Sequence, residues 1–148
     1  MKNIQLITKT IEISMGHRVP NHKSKCYSIH GHNFRIEVGV SDKVINTTGV
    51  SDEGMVIDFS DLKEIIMQEI DRKFDHGFVV YNQDKLKEVF YDFSRDGQKI
   101  IFVDFIPTAE NLAKYWYKLI ELKLQEKSIK ISHVKVWETS NNTATYNE

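Results

Sequence analysis

The chain has 148 residues, of which 41% are apolar and 28% charged, the balance of a folded globular protein rather than a disordered or fibrous one. Lys plus Arg number 20 against 21 Asp plus Glu. A net charge of −1 exerts no long-range pull on phosphate backbones or anionic membranes, which argues against non-specific nucleic-acid binding. The single cysteine, Cys26, excludes an internal disulfide framework, and charges interrupt every apolar stretch before it could span a bilayer. Met1 to Ser14 carries Lys2, Lys9 and Glu12 without a continuous apolar core, so it does not read as a secretory signal. A reducing, cytoplasmic setting is expected.

No repeat or low-complexity tract divides the chain, and residues 1–148 read as one domain. Residues 4–14, rich in Ile and Thr, suit an edge or half-buried strand. From His32 the alternation is cleaner: Phe34, Ile36, Val38 and Val40 share one parity, with Arg35 and Glu37 on the other. Residues 46–54 hold Asn46, Gly49, Asp52 and Gly54 and read as a loop. A helix begins near Asp58 or Ser60, buries Leu62, Ile65, Ile66, Ile70 and Phe74 at a 3.6-residue period, and stops just before Gly77. Leu86 to Phe93 is a shorter amphipathic piece, and Ile100 to Phe105 a compact strand. Pro107 and Thr108 introduce a second long helix with Leu112, Ala113, Trp116 and Ile120 on one side. A last strand runs from Ile129 to Thr139, and the tail after Asn141 is left open. The order predicts an α+β fold: an antiparallel sheet with two long helices on one face, whose other face needs a partner.

The densest chemistry lies between His17 and Asn33. In an extended segment residues two apart share a face, so His30 and His32 present their imidazoles side by side. Neutral imidazole suits zinc, and three histidines with an open fourth position are the pattern of a catalytic rather than a structural metal site. His17 could supply the third nitrogen if its strand neighbours theirs, although spacing alone does not prefer it to His22. Taken singly, Cys26 reads as a small buried hydrophobe, and His76 after Asp75 as a histidine placed against a helix dipole. Glu138 shares parity with Val134 and Val136, so it either faces the core side and needs a donor or has reached solvent at the strand end.

In order along the chain, Ser14-Met15-Gly16-His17, Cys26 three residues ahead of His30-Gly31-His32-Asn33-Phe34, Gly54-Met55-Val56-Ile57-Asp58-Phe59, Phe74-Asp75-His76, Pro107-Thr108-Ala109-Glu110-Asn111-Leu112-Ala113 and Trp137-Glu138-Thr139 resemble the 6-pyruvoyl-tetrahydropterin synthase family. The gap between Cys26 and His30 is similar to that of its bacterial 6-carboxytetrahydropterin synthase branch. The resemblance implies the tunnelling fold, in which subunit sheets join into a barrel, two trimers stack into a homohexamer, and active sites lie at subunit interfaces. It implies that His17, His30 and His32 hold zinc, that Cys26 transfers protons, and that Asp75 and His76 form a second acid–base pair. Glu138 would anchor a pterin, and Thr108 and Glu110 would cap a helix and support the site. The implied reaction is that of a zinc-dependent lyase of the queuosine pathway, converting 7,8-dihydroneopterin triphosphate and water to 6-carboxytetrahydropterin, triphosphate and acetaldehyde. The alternatives are pyruvoyl-tetrahydropterin synthesis and a non-catalytic zinc-containing pterin-binding module. The chain departs from the family at Gly77-Phe78-Val79-Val80 and in the length of segment 77–106.

Overall fold

Two strands of 14 residues each form the spine of the structure, a computed structural model that describes residues 3–148. Lys2, used above in reading the N-terminal segment, lies outside the described residues. In chain order the elements are β1 (Ile4–His17), β2 (His30–Lys43), α1 (Phe59–Ile66), α2 (Arg72–Phe74), β3 (Phe78–Tyr81), α3 (Lys87–Arg95), β4 (Ile100–Val103), α4 (Ala109–Gln125), β5 (Ile131–Thr139) and β6 (Asn142–Tyr146). They build one six-stranded sheet in the order β4-β3-β1-β2-β5-β6.

The α+β class and the long helices on one face are as the periodicity predicts. β1 pairs antiparallel with β2 over its whole length, from Ile4 opposite Lys43 to His17 opposite His30. β5 and β6 continue antiparallel, so the polar tail after Asn141 does pair. The sheet is mixed, however: β3 lies parallel to β1, and β4 parallel to β3. The connection through α3 returns the chain to the same end of the sheet, which forces a parallel partner. β3 was invisible to alternation because Val79 and Val80 are both buried, each on its own face. β1 runs three residues beyond Ser14 because Met15 to His17 still pair with β2, and Gly16 and His17 pair with β3 as well.

Ile13, Met15, Phe34, Ile36, Val38, Val134 and Val136 form the covered face. Against them pack Leu62, Ile66, Ile70 and Phe74, together with Leu112, Trp116, Ile120 and Leu124 of α4. Each such burial contributes about 1.5–3 kcal/mol. The Asp58 carboxylate accepts the Ser60 N–H at 2.7 Å and starts α1, which passes through a π-helical stretch (Met67–Asp71) into α2. Thr108 Oγ1 accepts the Asn111 N–H at 3.3 Å and starts α4, with Glu110 in its first turn where the helix dipole favours a negative charge. α3 sits on the opposite face, where Phe90 stacks on Phe78 with ring centres 5.1 Å apart. No helix among the described residues is long and apolar enough to cross a membrane.

Candidate active site

The register of β1 and β2 decides which histidine joins the pair on β2. His17 lies directly opposite His30, and His32 is two residues further along the same face, so three imidazoles meet at one end of the hairpin. Their ligand atoms all lie within 4.8 Å of one another. His22 is outside the cluster: it sits on the exposed loop and its Nδ1 accepts the Ser24 N–H.

The tautomers are set by the backbone. His17 Nδ1 lies 2.7 Å from the Pro107 carbonyl, and His30 Nδ1 lies 2.7 Å from the Ser28 carbonyl. A carbonyl only accepts, so each Nδ1 carries the proton and each Nε2 presents a bare lone pair. Among the described residues, none gives a hydrogen-bond partner to the buried Nε2 of His17, His30 or His32. Two bare lone pairs and a third partnerless ring nitrogen, all within 4.8 Å of one another, fit a divalent cation, and the carbonyls of Pro107 and Ser28 hold the rings of His17 and His30 in place for it. Burial holds His17 below the usual histidine range, against the opposing influence of the Pro107 carbonyl and Glu138. Burial likewise lowers His32 against Glu138. The lowering favours the neutral ring, the form a metal requires.

Of the two placements its parity left open, Glu138 takes the covered face, and its Oε1 lies 3.5 Å from His32 Nε2, an electrostatic contact rather than a hydrogen bond. The register between β5 and β6 shifts between Trp137 and Thr139, a bulge of the kind that re-aims a side chain. Asp75 and His76 form a pair at the end of α2, with Asp75 Oδ2 2.8 Å from His76 Nδ1. Asp75 Oδ1 accepts the Ser14 N–H at 2.9 Å. Burial pushes the Asp75 carboxyl up, but the Ser14 N–H, His76 and Lys99 outweigh it, and the net direction is down. His76 itself has φ 59°, the left-handed region, and its side chain is 81% exposed. The stop before Gly77 is therefore made by a histidine in the conformation glycine usually supplies. Gly77 is favoured for space, since a Cβ there would crowd the Phe74 carbonyl oxygen at 3.0 Å as well as Ile101 Cδ1 at 2.4 Å. His76 and His32 line one open cleft of about 490 Å³ together with Ser14, Gly16 and Asn33.

Cys26 lies in a 3-10 turn (Lys25–Tyr27) between the ligand-bearing strands. It is part of neither the histidine cluster nor the lining of that cleft. Two supporting residues had no motif to announce them. Lys99 Nζ donates to the carbonyls of Arg72 (2.9 Å) and Asp75 (2.7 Å), closing the end of α2. Arg18, next to His17, is buried against Asp84.

The sequence profile of the family described as 6-pyruvoyl tetrahydropterin synthase matches residues 6–148. The 6-carboxy-5,6,7,8-tetrahydropterin synthase of Rickettsia bellii is 35% identical over 136 residues, covering 90% of this chain and 94% of its own. The protein of the same name from Aquifex aeolicus is 31% identical over 165 aligned positions, covering 96% and 97%. Among solved structures, 6-pyruvoyl tetrahydropterin synthase of Caenorhabditis elegans superposes with a TM-score of 0.70 at 25% identity over 98% of this chain and 96% of that one. An uncharacterized protein from Wolinella succinogenes reaches a TM-score of 0.82 at 22% identity over 98% of both chains, which bears on the fold alone.

Proposed function

The chain belongs to the 6-pyruvoyl tetrahydropterin synthase family, and from that premise we propose that it is a zinc-dependent 6-carboxytetrahydropterin synthase. The substrate is 7,8-dihydroneopterin triphosphate, which with water yields 6-carboxytetrahydropterin, triphosphate and acetaldehyde, a step of the queuosine pathway in the cytoplasm. The observation that carries the reading is the convergence of three buried Nε2 atoms that no protein donor satisfies. Relatives of that name at 31–35% identity over most of the chain supply the product class.

In this reading His17, His30 and His32 hold zinc, which when bound supplies Lewis acidity toward the hydroxyl oxygens of the substrate side chain. Glu138 accepts hydrogen bonds from the amino and ring N–H edge of the pterin, the donors that a half-buried carboxylate requires. Asp75 orients His76 by accepting its Nδ1–H, which leaves Nε2 free to take a proton from the substrate and return it. Cys26 is the second proton-transfer group. That Cys26 does not line the cleft formed by His76, together with the exposure of the His76 ring, supports a site completed by a neighbouring copy in a hexamer of two trimers.

The test is mass-spectrometric product analysis after mixing zinc-loaded protein with 7,8-dihydroneopterin triphosphate. Acetaldehyde with 6-carboxytetrahydropterin is expected. A retained three-carbon side chain would assign the pyruvoyl reaction, the reading favoured by the likeness to the Caenorhabditis elegans structure. Unchanged substrate that nevertheless binds tightly would leave a pterin-binding module.

A further inference from the structure

The connection between the two ligand-bearing strands has almost nothing of its own to hold it. Beyond Arg18, none of residues 19–29 is buried, yet this segment carries Cys26. Beyond its own turn hydrogen bonds and the Lys85 ammonium over the Tyr27 ring, what ties it to the buried part of the fold is one guanidinium. Arg18 Nε donates to Asp84 Oδ2 at 2.7 Å and Nη2 to Asp84 Oδ1 at 2.9 Å, a two-point contact between side chains only 3% and 1% exposed. The remaining nitrogen, Nη1, donates to the carbonyl of Tyr27 at 2.9 Å. The guanidinium carbon also lies 4.6 Å from the centre of the Tyr27 ring. Immediately upstream, the Cys26 carbonyl accepts the N–H of Val19 at 2.9 Å. Two consecutive carbonyls, those of Cys26 and Tyr27, are thus tied to the two residues that follow His17.

Asp84 is anchored in turn. It lies in the turn between β3 and α3, and its Oδ1 also accepts the Leu86 N–H at 2.8 Å. The carboxylate is therefore fixed before the arginine reaches it.

A buried ion pair is a poor device for stability alone, because apolar side chains of similar volume often serve as well. Its planar fork gives fixed geometry, which a surface loop otherwise lacks. We infer that the Arg18–Asp84 pair is a positioning device for Cys26, setting the place of its thiol relative to the histidine cluster through the Tyr27 carbonyl. The inference rests on the reading of Cys26 as a proton-transfer group. Arg18 and Asp84 touch no substrate and act through the loop. His17 keeps its own anchor on Pro107, and His30 and His32 stay in the paired strand β2, so the ligand set should survive loosening the pair even though the Ser28 carbonyl that orients His30 ends the same loop.

The test compares wild type with Arg18→Lys and Asp84→Asn, each loaded with zinc and assayed well below its melting temperature. Lysine retains the charge but cannot reach both Asp84 oxygens and the Tyr27 carbonyl. Both variants should keep wild-type zinc content, exchange the hydrogen-bonded amides of Val19, His22, Tyr27 and Ser28 at least about tenfold faster, and alkylate Cys26 with iodoacetamide at a changed rate. With an ångström-scale misplacement of a reacting group costing about 100-fold, kcat should fall by that order while KM stays within about threefold. Folded variants with wild-type exchange, alkylation and kcat would overturn the inference. So would rapid exchange of the Val19 amide in the wild type, a measurement that needs no variant to fold. If wild type fails to turn over dihydroneopterin triphosphate, the functional reading falls, while the exchange and alkylation results still decide whether the pair holds the loop.

Discussion

Removing the metal should weaken the protein by an amount the site itself bounds. Three imidazole Nε2 atoms are buried without a partner, and each unsatisfied buried acceptor costs about 1–3 kcal/mol. A cation accepting all three lone pairs can therefore relieve about 3–9 kcal/mol. How much of this is seen depends on free zinc: at a hundred times its dissociation constant the gain is about 2.7 kcal/mol. For a chain of 148 residues the unfolding entropy near 60 °C is about 0.3 kcal/mol per degree, so the melting temperature should rise by about 9 °C. The assay is calorimetry of chelator-treated protein with zinc restored in steps, beside His17→Ala, which lacks one of the three donors. Wild type should show the rise and the variant should lose most of it. No rise, or an equal rise in the variant, would refute the reading of the triad as a metal site. The pH dependence has a definite sign. His17 and His32 are lowered by burial, so stability of the metal-free protein is full above the unfolded histidine value of about 6.5. It falls as pH drops from there toward the lower folded values, because the unfolded chain takes up protons first.

Asp84 should give a second acid limb. Burial pushes its carboxyl up, but Arg18 and the Leu86 N–H outweigh it and the net direction is down. The resulting stability is present above about pH 3.9 and is lost as pH falls through the depressed folded value, so urea midpoints of Asp84→Asn should vary less than wild type between about pH 4 and 2. His76→Asn should separate fold from chemistry. Asparagine tolerates the left-handed backbone at φ 59°, so melting should change little while kcat drops about 100-fold or more, and unchanged turnover would remove His76 from the acid–base role. Gly39→Ala places a Cβ 2.2 Å from His133 Cε1, on the strand position directly opposite it, and must swing that ring away from Glu37, which it meets at 2.8 Å. A loss of about 1–3 kcal/mol in chemical denaturation is expected, and it should largely vanish when the same change is made in His133→Ala.

The parts of the site that could be read from the chain are those in which neighbours in sequence are neighbours in space. His30 and His32 share a face because a strand has period two, and Glu138 shares one with Val136 for the same reason. The choice of His17 over His22 needed the β1–β2 register, which depends on how a 14-residue strand pairs with another, not on local spacing. β3 escaped because both of its central valines are covered, one by the main core and one by α3, so no alternation remained to be seen. The supports were hidden for a different reason. The Pro107 carbonyl that fixes His17 lies 90 residues away, and the Asp84 carboxylate that fixes Arg18 lies 66 away, in a turn with no motif. A backbone carbonyl has no residue type to search for, and a lone aspartate in a polar turn looks like any other. Side-chain chemistry was therefore visible where one strand presents it, whereas the groups that hold that chemistry in place became visible only when β3 and α4 were laid beside β1.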